Sequence, residues 1–270
     1  MDNLDTPQNI KELLKKENMA VLKQLGQNFI TQAWVVDKLL EAAQITPNDT
    51  ILEIGPGMGI LTEPMAKTAK KVIAIEKDKK IAQMLKERLA FDNLEIIHAD
   101  ALKIKKQDLP EFDKIVANIP FYITAPLIRK FLEQDWNKPM FLLVQKEVGQ
   151  RIVSEPPNLN ILALSVQFYA QAQFVCVVDK DCFWPRPRVD AAIIKIEPRP
   201  VNKEIEKQFF KVIKAGFSSP RKQLLNNLSA GLKLPKEKIL AVLDKTGISP
   251  QQRAETLSLE QWISLAINFH

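Results

Sequence analysis

The residues of this sequence with the clearest chemical potential are Asn118-Ile119-Pro120-Phe121, which follow the apolar segment DKIVA. One reaction that such a motif could assist is attack by the amino group of adenine. This group is a poor nucleophile because its lone pair is delocalised into the ring. The side-chain oxygen of Asn118 and the backbone carbonyl of Ile119 can accept from its two hydrogens and free that pair, if Pro120 holds the loop rigid. Phe121 or Tyr122 can stack on the base. A motif of this kind is also typical of a strand-to-helix turn, so its neighbours decide.

A glycine-rich turn, ILEIGPGMGILT, supplies the first of these neighbours. Gly55, Gly57 and Gly59 alternate after an apolar strand, and such residues let the chain turn sharply while a ligand approaches the backbone at Gly55 and Gly57. Doubly wound sheets bind ligands at this place, outside the carboxyl ends of their strands. The spacing E-x-G-x-G-x-G differs from the G-x-G-x-x-G of nicotinamide enzymes. Taken alone, the turn is weak evidence of a binding site.

Two acidic residues at successive strand ends strengthen the case for a ligand. Glu76 can accept from both hydroxyls of a ribose, and Asp100 can accept from an adenine amino group. Either residue alone is more often a helix cap or a surface charge. A pyrophosphate would prefer a helix N-terminus without carboxylates, whereas the sulfonium of S-adenosylmethionine is compatible with Glu53 at the mouth of the turn. The pattern predicts S-adenosylmethionine as the cofactor and methyl transfer as the reaction.

The elements that must position these residues alternate along the chain. Short apolar strands separated by amphipathic helices predict an α/β fold with a doubly wound, mostly parallel sheet. Two further strands without a long helix between them predict an antiparallel addition at one edge. The predicted strands are TILEI (50–54), KVIAIE (71–76), LEIIH (94–98), KIVAN (114–118), MFLLVQ, QFVCVV (173–178) and AAIIKIE (191–197).

The domain boundary is expected at the EPRP segment, after which only helical patterns follow. We therefore expect a methyltransferase domain over residues 1–197, with an N-terminal helical arm (1–30), and a small all-helical domain over residues 198–270. The net charge of +6 lies wholly in the second domain, which has twelve basic and six acidic residues. A basic module beside a neutral one suggests a nucleic acid partner, although a solvated basic face is about as good an interpretation.

Composition excludes several classes of protein. No run of 18 apolar residues is present in the 270-residue chain, so no membrane association is expected. Two cysteines, Cys176 and Cys182, and two histidines are too few for a disulfide framework, and they make a metal site improbable. These features predict a cytoplasmic protein.

Eight motifs in order over nearly the whole chain resemble the KsgA-type ribosomal RNA adenine dimethyltransferases, with the Erm-type methyltransferases as close relatives. They are LGQNFI (25–30), LEIGPGMGILT, VIAIEKD, HADAL, NIPFYITAP, LLVQKEVGQRI (142–152), CFWPRPRVDAAI (182–193) and FSSPRKQLLNNL (217–228). The resemblance implies a Rossmann-like class I methyltransferase that uses S-adenosylmethionine. It would transfer four methyl groups to two adjacent adenosines near the 3′ end of small-subunit (16S) ribosomal RNA, in a pre-30S particle.

The resemblance also implies roles for individual residues. Phe183 would be the second ring that sandwiches the target base. The sequence departs from the family pattern in PPNLNILALSV (156–166), where the usual glycine before a helix is missing and Asn160 stands near its place. Arg221 and Lys222, expected in the first turn of a helix after Ser218-Ser219-Pro220, would bind RNA together with Arg186 and Arg188. The residues expected to contact the cofactor are Asn28, Ile30, Gly55, Gly57, Glu76, Asp100 and Asn118.

Three other functions remain open from the sequence. An Erm-type enzyme would modify large-subunit RNA, but the basic FSSPRKQ segment and the proline-rich FWPRPRV segment favour the KsgA type. A DNA adenine methyltransferase would usually have a second proline in place of Ile119. A non-catalytic RNA-binding factor of ribosome assembly would be expected to have a damaged donor loop or to lack Asn118.

Overall fold

A computed structural model describes residues 6–21 and 26–269. Parts of the predicted N-terminal arm and Leu25 of the LGQNFI motif lie outside the described residues. Contacts divide the chain into two compact units, Met1–Gly149 with Gln173–Pro198, and Gln150–Ala172 with Arg199–His270. The border at Pro198 adjoins the boundary expected from the sequence, whereas residues 150–172 group with the C-terminal helices. That segment adds one arginine and one glutamate, so the excess positive charge stays in the second unit.

A seven-stranded sheet of order β4-β3-β2-β5-β6-β9-β7 has the predicted doubly wound architecture. Its first five members along the chain pair in parallel, and β9 pairs antiparallel with β6, which confirms the α/β class and an antiparallel addition. The central strands are apolar along their length because both faces of a parallel sheet are covered. The strands are β2 (Thr50–Ile54), β3 (Lys71–Glu76), β4 (Leu94–His98), β5 (Lys114–Asn118), β6 (Met140–Gln145), β7 (Ala170–Val178) and β9 (Ala191–Pro198).

Helices cover this sheet, and their ends follow from local sequence. Asp78 caps α4 by accepting from the amides of Lys80 and Ile81. Thr6 caps α1, and the proline at its first position has the backbone angle that a helix needs. The helices are α1 (Pro7–Lys16), α2 (Ala33–Ala43), α3 (Thr62–Thr68), α4 (Lys79–Arg88), α5 (Thr124–Glu133) and α6 (Lys146–Ile152), of which α6 runs across the border at Gly149.

A two-stranded ribbon brings the N-terminal segment to the rest of the first unit. β1 (Phe29–Ile30) pairs antiparallel with β8 (Phe183–Trp184), with Phe29 opposite Trp184. The apolar face of α1 (Ile10, Leu13 and Leu14) belongs to the same buried cluster as residues of α4. The predicted arm is therefore helical over Pro7–Lys16, and it is fixed by apolar packing.

The second unit is built from helices around an aromatic core. Phe168 stacks on Phe209 with ring centroids 4.3 Å apart, and Trp262 is fully buried. Asn160 caps α7 by accepting from the amide of Ala163, and its φ of −143° is extended backbone that requires no glycine. The helices are α7 (Ile161–Gln167), α8 (Glu206–Gly216), α9 (Leu224–Leu232), α10 (Lys236–Lys245) and α11 (Leu259–Asn268). No helix within the described ranges is long and apolar enough to span a membrane.

The expected helix start at Arg221 and Lys222 is wrong. Both residues are exposed, but they lie in a turn, and α9 begins at Leu224. The amide of Leu224 donates to the carbonyl of Gln252, and the buried Asn227 amide donates to Ser219. The contact with Gln252 is distant in sequence, so local capping signals could not locate the helix start.

The close approach of α8 and α9 gives a first test. A Cβ at Gly231 would lie 2.6 Å from the Cα of Ala215, and this backbone atom cannot swing away. We expect Gly231→Ala to lower the free energy of unfolding by about 1–3 kcal/mol, measured by urea denaturation. The neighbouring Ala230→Ser is exposed and should change it by less than about 0.5 kcal/mol. Equal stability of Gly231→Ala and the parent protein would contradict this packing.

Candidate active site

A cavity lies at the carboxyl ends of the parallel strands and collects most of the residues singled out in the sequence. Its walls come from the β1 segment, the turn after β2, the ends of β3 and β4, and the loop after β5. The predicted residues that line it are Asn28, Ile30, Gly55, Gly57, Glu76, Asp100, Asn118, Ile119, Pro120 and Phe121. Residues from five separate stretches of the chain therefore share one cavity.

The glycine-rich turn after β2 has a backbone conformation and a packing that disfavour side chains. Gly55, Gly57 and Gly59 all have positive φ, between 56° and 82°. A Cβ at Gly57 would lie 3.2 Å from the ring of Phe29, so a side chain there would press on the β1 segment. The guanidinium of Arg88 donates to the carbonyl of Met58, and this bond stabilises the loop. Arg88 was not singled out in the sequence, since an arginine near a helix end carries no distinguishing signal.

Glu76 is a buried carboxylate held by the loop that it faces. One oxygen accepts from the amide of Asp78 at 2.8 Å and the other from the amide of Gly57 at 3.4 Å. Burial raises the pKa of this carboxyl, although the amide donors oppose the rise. The side chain has remaining acceptor capacity on the cavity wall.

Asp100 is positioned by two donors at the end of β4. One oxygen accepts from the amide of Leu102 at 3.0 Å, and the other pairs with the Lys77 ammonium at 3.0 Å. Burial opposes ionisation, but these donors outweigh it and hold the pKa of Asp100 below its usual value. Lys77 also lines the cavity, and the sequence gives no signal of its role because its pair with Asp100 forms between neighbouring strand ends.

The amide of Asn118 has a fixed orientation. Its Nδ2 donates to the backbone carbonyl of Asn28 at 2.9 Å. This bond uses one N–H of the side chain and orients the amide, and the oxygen is the acceptor that remains for a ligand in the cavity. The carbonyl of Pro120 accepts from the amide of Ile123 at 3.0 Å, which closes the loop after β5 into a tight turn.

The aromatic residues differ in their access to a ligand. Phe121 is half-buried on the cavity wall, and Tyr122 lies beside it with 53% of its surface exposed. Phe183 is only 3% exposed and belongs to the apolar core, and it does not line this cavity. A base could reach the Phe183 ring only if the surrounding core moved, so its stacking role stays a prediction.

The arginines expected at an RNA surface also lie outside the cavity. Arg186 is exposed and pairs with Asp181, and Arg188 is exposed. Their RNA-binding role and that of Arg221 and Lys222 remain predictions.

Glu53 does not occupy the position expected for it. It is fully buried, does not line the cavity, and neither of its oxygens makes a hydrogen bond of normal geometry to the described residues. Burial raises the pKa of Glu53 to about 8. The Thr62 hydroxyl lowers this pKa by a smaller amount, and the charge of Glu76 raises it further. The carboxyl is therefore neutral near pH 7, and the expectation that it faces a sulfonium is wrong. Across the described ranges, no cluster of His, Cys, Asp and Glu suits a metal ion.

The sheet order and the placement of the cavity at its strand ends are those of the class I methyltransferases, and two solved structures share the fold over most of this chain. The dimethyladenosine transferase from Plasmodium falciparum superposes with a TM-score of 0.75 and 29% identity, covering 89% of this chain and 97% of that one. The 23S rRNA methyltransferase ErmE gives a TM-score of 0.74 with 26% identity, covering 89% and 99%.

The chain belongs to the ribosomal RNA adenine dimethylase family, whose model matches residues 19–270. It is 42% identical over 268 residues to the ribosomal RNA small subunit methyltransferase A of Dehalococcoides mccartyi, covering 95% of this chain and 91% of the relative. It is 40% identical to the protein of the same name from Clostridium acetobutylicum, covering 96% and 97%.

The buried Glu76 carboxylate gives a prediction for cofactor affinity. Glu76→Ala should weaken S-adenosylmethionine binding by about 1–3 kcal/mol, since the predicted contact with the ribose hydroxyls would lose its charged acceptor. Because the pKa of Glu76 is raised and only its ionised form accepts from two hydroxyls, the affinity of the parent protein should increase as pH rises through that pKa. The variant should lack this dependence.

Calorimetric titration of the free enzyme with S-adenosylmethionine measures both effects. Glu95→Ala removes a carboxylate of β4 that pairs with Lys71 away from the cavity, and it is the matched control. If Glu76→Ala kept the parental affinity, the ribose would have to lie elsewhere.

Proposed function

We propose that the protein dimethylates N6 of two adjacent adenosines near the 3′ end of small-subunit (16S) ribosomal RNA, with S-adenosylmethionine as methyl donor and a pre-30S particle as substrate. The observation that carries the proposal is the Asn118 amide, whose oxygen is left as an acceptor at the cavity by the 2.9 Å bond to Asn28. The family and eight relatives at 38–42% identity, all named small subunit methyltransferase A, support small-subunit RNA as the substrate. The large-subunit alternative is not favoured.

The residues of the cavity fit the proposed cofactor. Glu76 offers a buried carboxylate to the ribose hydroxyls, Asp100 offers an acceptor to the adenine amino group, and Gly55 and Gly57 leave the backbone open to the ligand. Asn28 and Ile30 close the cavity from the β1 side. S-adenosylmethionine, when bound, supplies an electrophilic methyl group.

Asn118 and Ile119 prepare the nucleophile. The Asn118 oxygen and the Ile119 carbonyl accept from the two amino hydrogens of the target adenine, and the lone pair becomes available for attack. These acceptors contribute because they are already oriented, so little reorganisation is needed during the reaction. The methylated ammonium is acidic enough to lose its proton to water. Each adenosine accepts two methyl groups, and in the second transfer the monomethylated nitrogen has one hydrogen left to donate to these acceptors.

Tyr122, with its exposed ring, and the adjacent Phe121 line the cavity and can stack on the base once it has left its loop. The predicted stacking role of Phe183 would require movement of the core around its ring. A cytoplasmic location stays a prediction.

A methylation assay on purified ribosomal subunits tests the proposal. With labelled S-adenosylmethionine, small subunits lacking the two dimethyladenosines should accept four methyl groups on adjacent adenosines. Label in large-subunit RNA would favour the Erm-type reaction, and subunit binding without label would favour an assembly factor. Either result would overturn the proposal.

A second experiment separates chemistry from binding. Asn118→Ala should lower the methyl-transfer rate at saturating donor by on the order of 10²-fold, as does loss of a preorganised polar group in other enzymes. Subunit affinity should persist because phosphate contacts dominate it. Asn48→Ala, in an exposed loop, is the control and should keep the parental rate. A rate for Asn118→Ala within a few-fold of the parent would refute the role given to this amide.

The basic second unit gives a prediction about RNA attraction. Arg221 and Lys222 are exposed in the turn before α9, and the structure shows no ion pair for them within the described residues. Changing both to Ala should lower affinity for the small subunit and reduce the salt slope of binding by about one to two units. Filter binding at several salt concentrations measures this.

Lys236→Ala with Lys238→Ala removes the same charge from exposed positions on α10 and serves as the control. If the two double variants behave alike, net charge is responsible for the attraction and the turn has no special role.

A further inference from the structure

The first unit has a second concavity, a cleft formed by α1, the start of α4 and β8. Its volume is about 790 Å³, and four lysines and an indole contribute to its wall: Lys11, Lys15, Lys79, Lys80 and Trp184. We call these five residues the lysine–tryptophan cleft. None of them was given a function by the sequence motifs, and the cofactor cavity does not include them.

The cleft carries an excess of positive charge. All four lysines are exposed, and none of them forms an ion pair with the described part of the chain. Asp78 also lines the cleft and caps α4 by accepting from the amides of Lys80 and Ile81; its single negative charge leaves the four lysines in excess. Four ammonium groups around one cleft repel one another, and a polyanion would relieve this repulsion.

Trp184 adds an aromatic surface to this charge. The indole is half-buried, and the Lys11 ammonium lies 5.6 Å from its ring centroid. Cations beside an aromatic face are the combination that binds single-stranded nucleic acid, where phosphates meet the cations and a base stacks on the ring. The long Lys11 side chain can move from the ring to a phosphate when a base takes its place.

The cleft adjoins the cofactor cavity. Gln27 and Ile81 line both, and Trp184 lies opposite Phe29 in the β1–β8 ribbon, whose Phe29 lines the cavity. For an RNA strand with one base inserted beside Asn118, this cleft is therefore a positively charged neighbouring surface.

We propose that the lysine–tryptophan cleft binds the single-stranded RNA that flanks the target adenosine, with one base stacked on Trp184 and phosphates at Lys15, Lys79 and Lys80. The inference rests on the proposed function, because it takes RNA as the substrate. It adds a substrate-binding site on the first unit, independent of the basic second unit.

Binding of a short single-stranded oligoadenylate to the full-length protein tests the cleft without methyl transfer. The triple variant Lys15→Ala, Lys79→Ala and Lys80→Ala should bind at least about ten-fold more weakly, with a salt slope lower by about two units. Lys70→Ala, Lys86→Ala and Lys105→Ala remove the same charge from exposed positions outside the cleft and should have a much smaller effect. Equal losses in the two triple variants would overturn the proposal.

Trp184 separates stacking from charge. Trp184→Phe should retain most of the affinity, whereas Trp184→Ala should lose about ten-fold with an unchanged salt slope. Calorimetric S-adenosylmethionine affinity reports whether the adjacent cavity remains intact in each variant. If Trp184→Ala with an intact cavity bound the oligoadenylate as the parent does, the stacking site would be refuted.

The methylation assay keeps this inference distinguishable from the proposed function. A parent protein that methylates small subunits while the triple variant binds oligoadenylate normally refutes the cleft and leaves the function standing. Loss of oligoadenylate binding in the triple variant, with no methylation by the parent protein, supports the cleft and refutes the function. If the triple variant still bound oligoadenylate but no longer bound phosphatidylserine vesicles, the cleft would be a lipid-binding surface. That result would overturn the proposal.

Discussion

The candidate active site depends on one hydrogen bond, from the Asn118 side-chain nitrogen to the Asn28 carbonyl at 2.9 Å. It joins the end of β5 to the segment before β1, two parts of the chain 90 residues apart. That segment is held in turn by the pairing of β1 with β8 and by the Phe29 ring against Gly57. The sheet, the ribbon and the glycine turn therefore all contribute to the orientation of a single amide, and through it to the acceptor that faces the substrate.

Electrostatics support the same arrangement. Glu53 and Glu76 are both buried, but only Glu76 has amide donors and a place on the cavity wall. Because burial raises the pKa of Glu53 to about 8, that carboxyl is neutral near pH 7 and does not add a second negative charge beside Glu76. The glycine turn is thus held by Arg88 and by the Glu76 carboxylate, while Asp100 is balanced by Lys77. Within the described residues, Glu76 has no cationic partner, whereas Asp100 is paired with Lys77.

The sequence predicted the sheet well because buried parallel strands are apolar on both faces, and the bounds of β2, β3, β4 and β5 match the predicted runs. It also predicted which residues meet at the strand ends, since parallel strands place their carboxyl ends at one edge. Contacts between distant residues could not be predicted. The start of α9 depends on Gln252, and the grouping of residues 150–172 with the C-terminal helices includes the bond from the Leu159 amide to the Glu255 carbonyl. The Asn28 acceptor is a backbone atom, so its residue type carries no signal.

The most direct test of the orientation of Asn118 is the single-turnover methyl-transfer rate of Asn118→Asp as a function of pH. The substitution keeps an acceptor oxygen but removes the donor to the Asn28 carbonyl, and an ionised carboxyl is repelled by that carbonyl. At neutral pH we expect a rate at least about ten-fold below that of the parent, as for loss of a preorganised group. The deficit should shrink as pH falls, because a protonated carboxyl can again donate. A parental rate at neutral pH, with the same pH dependence as the parent, would contradict the account.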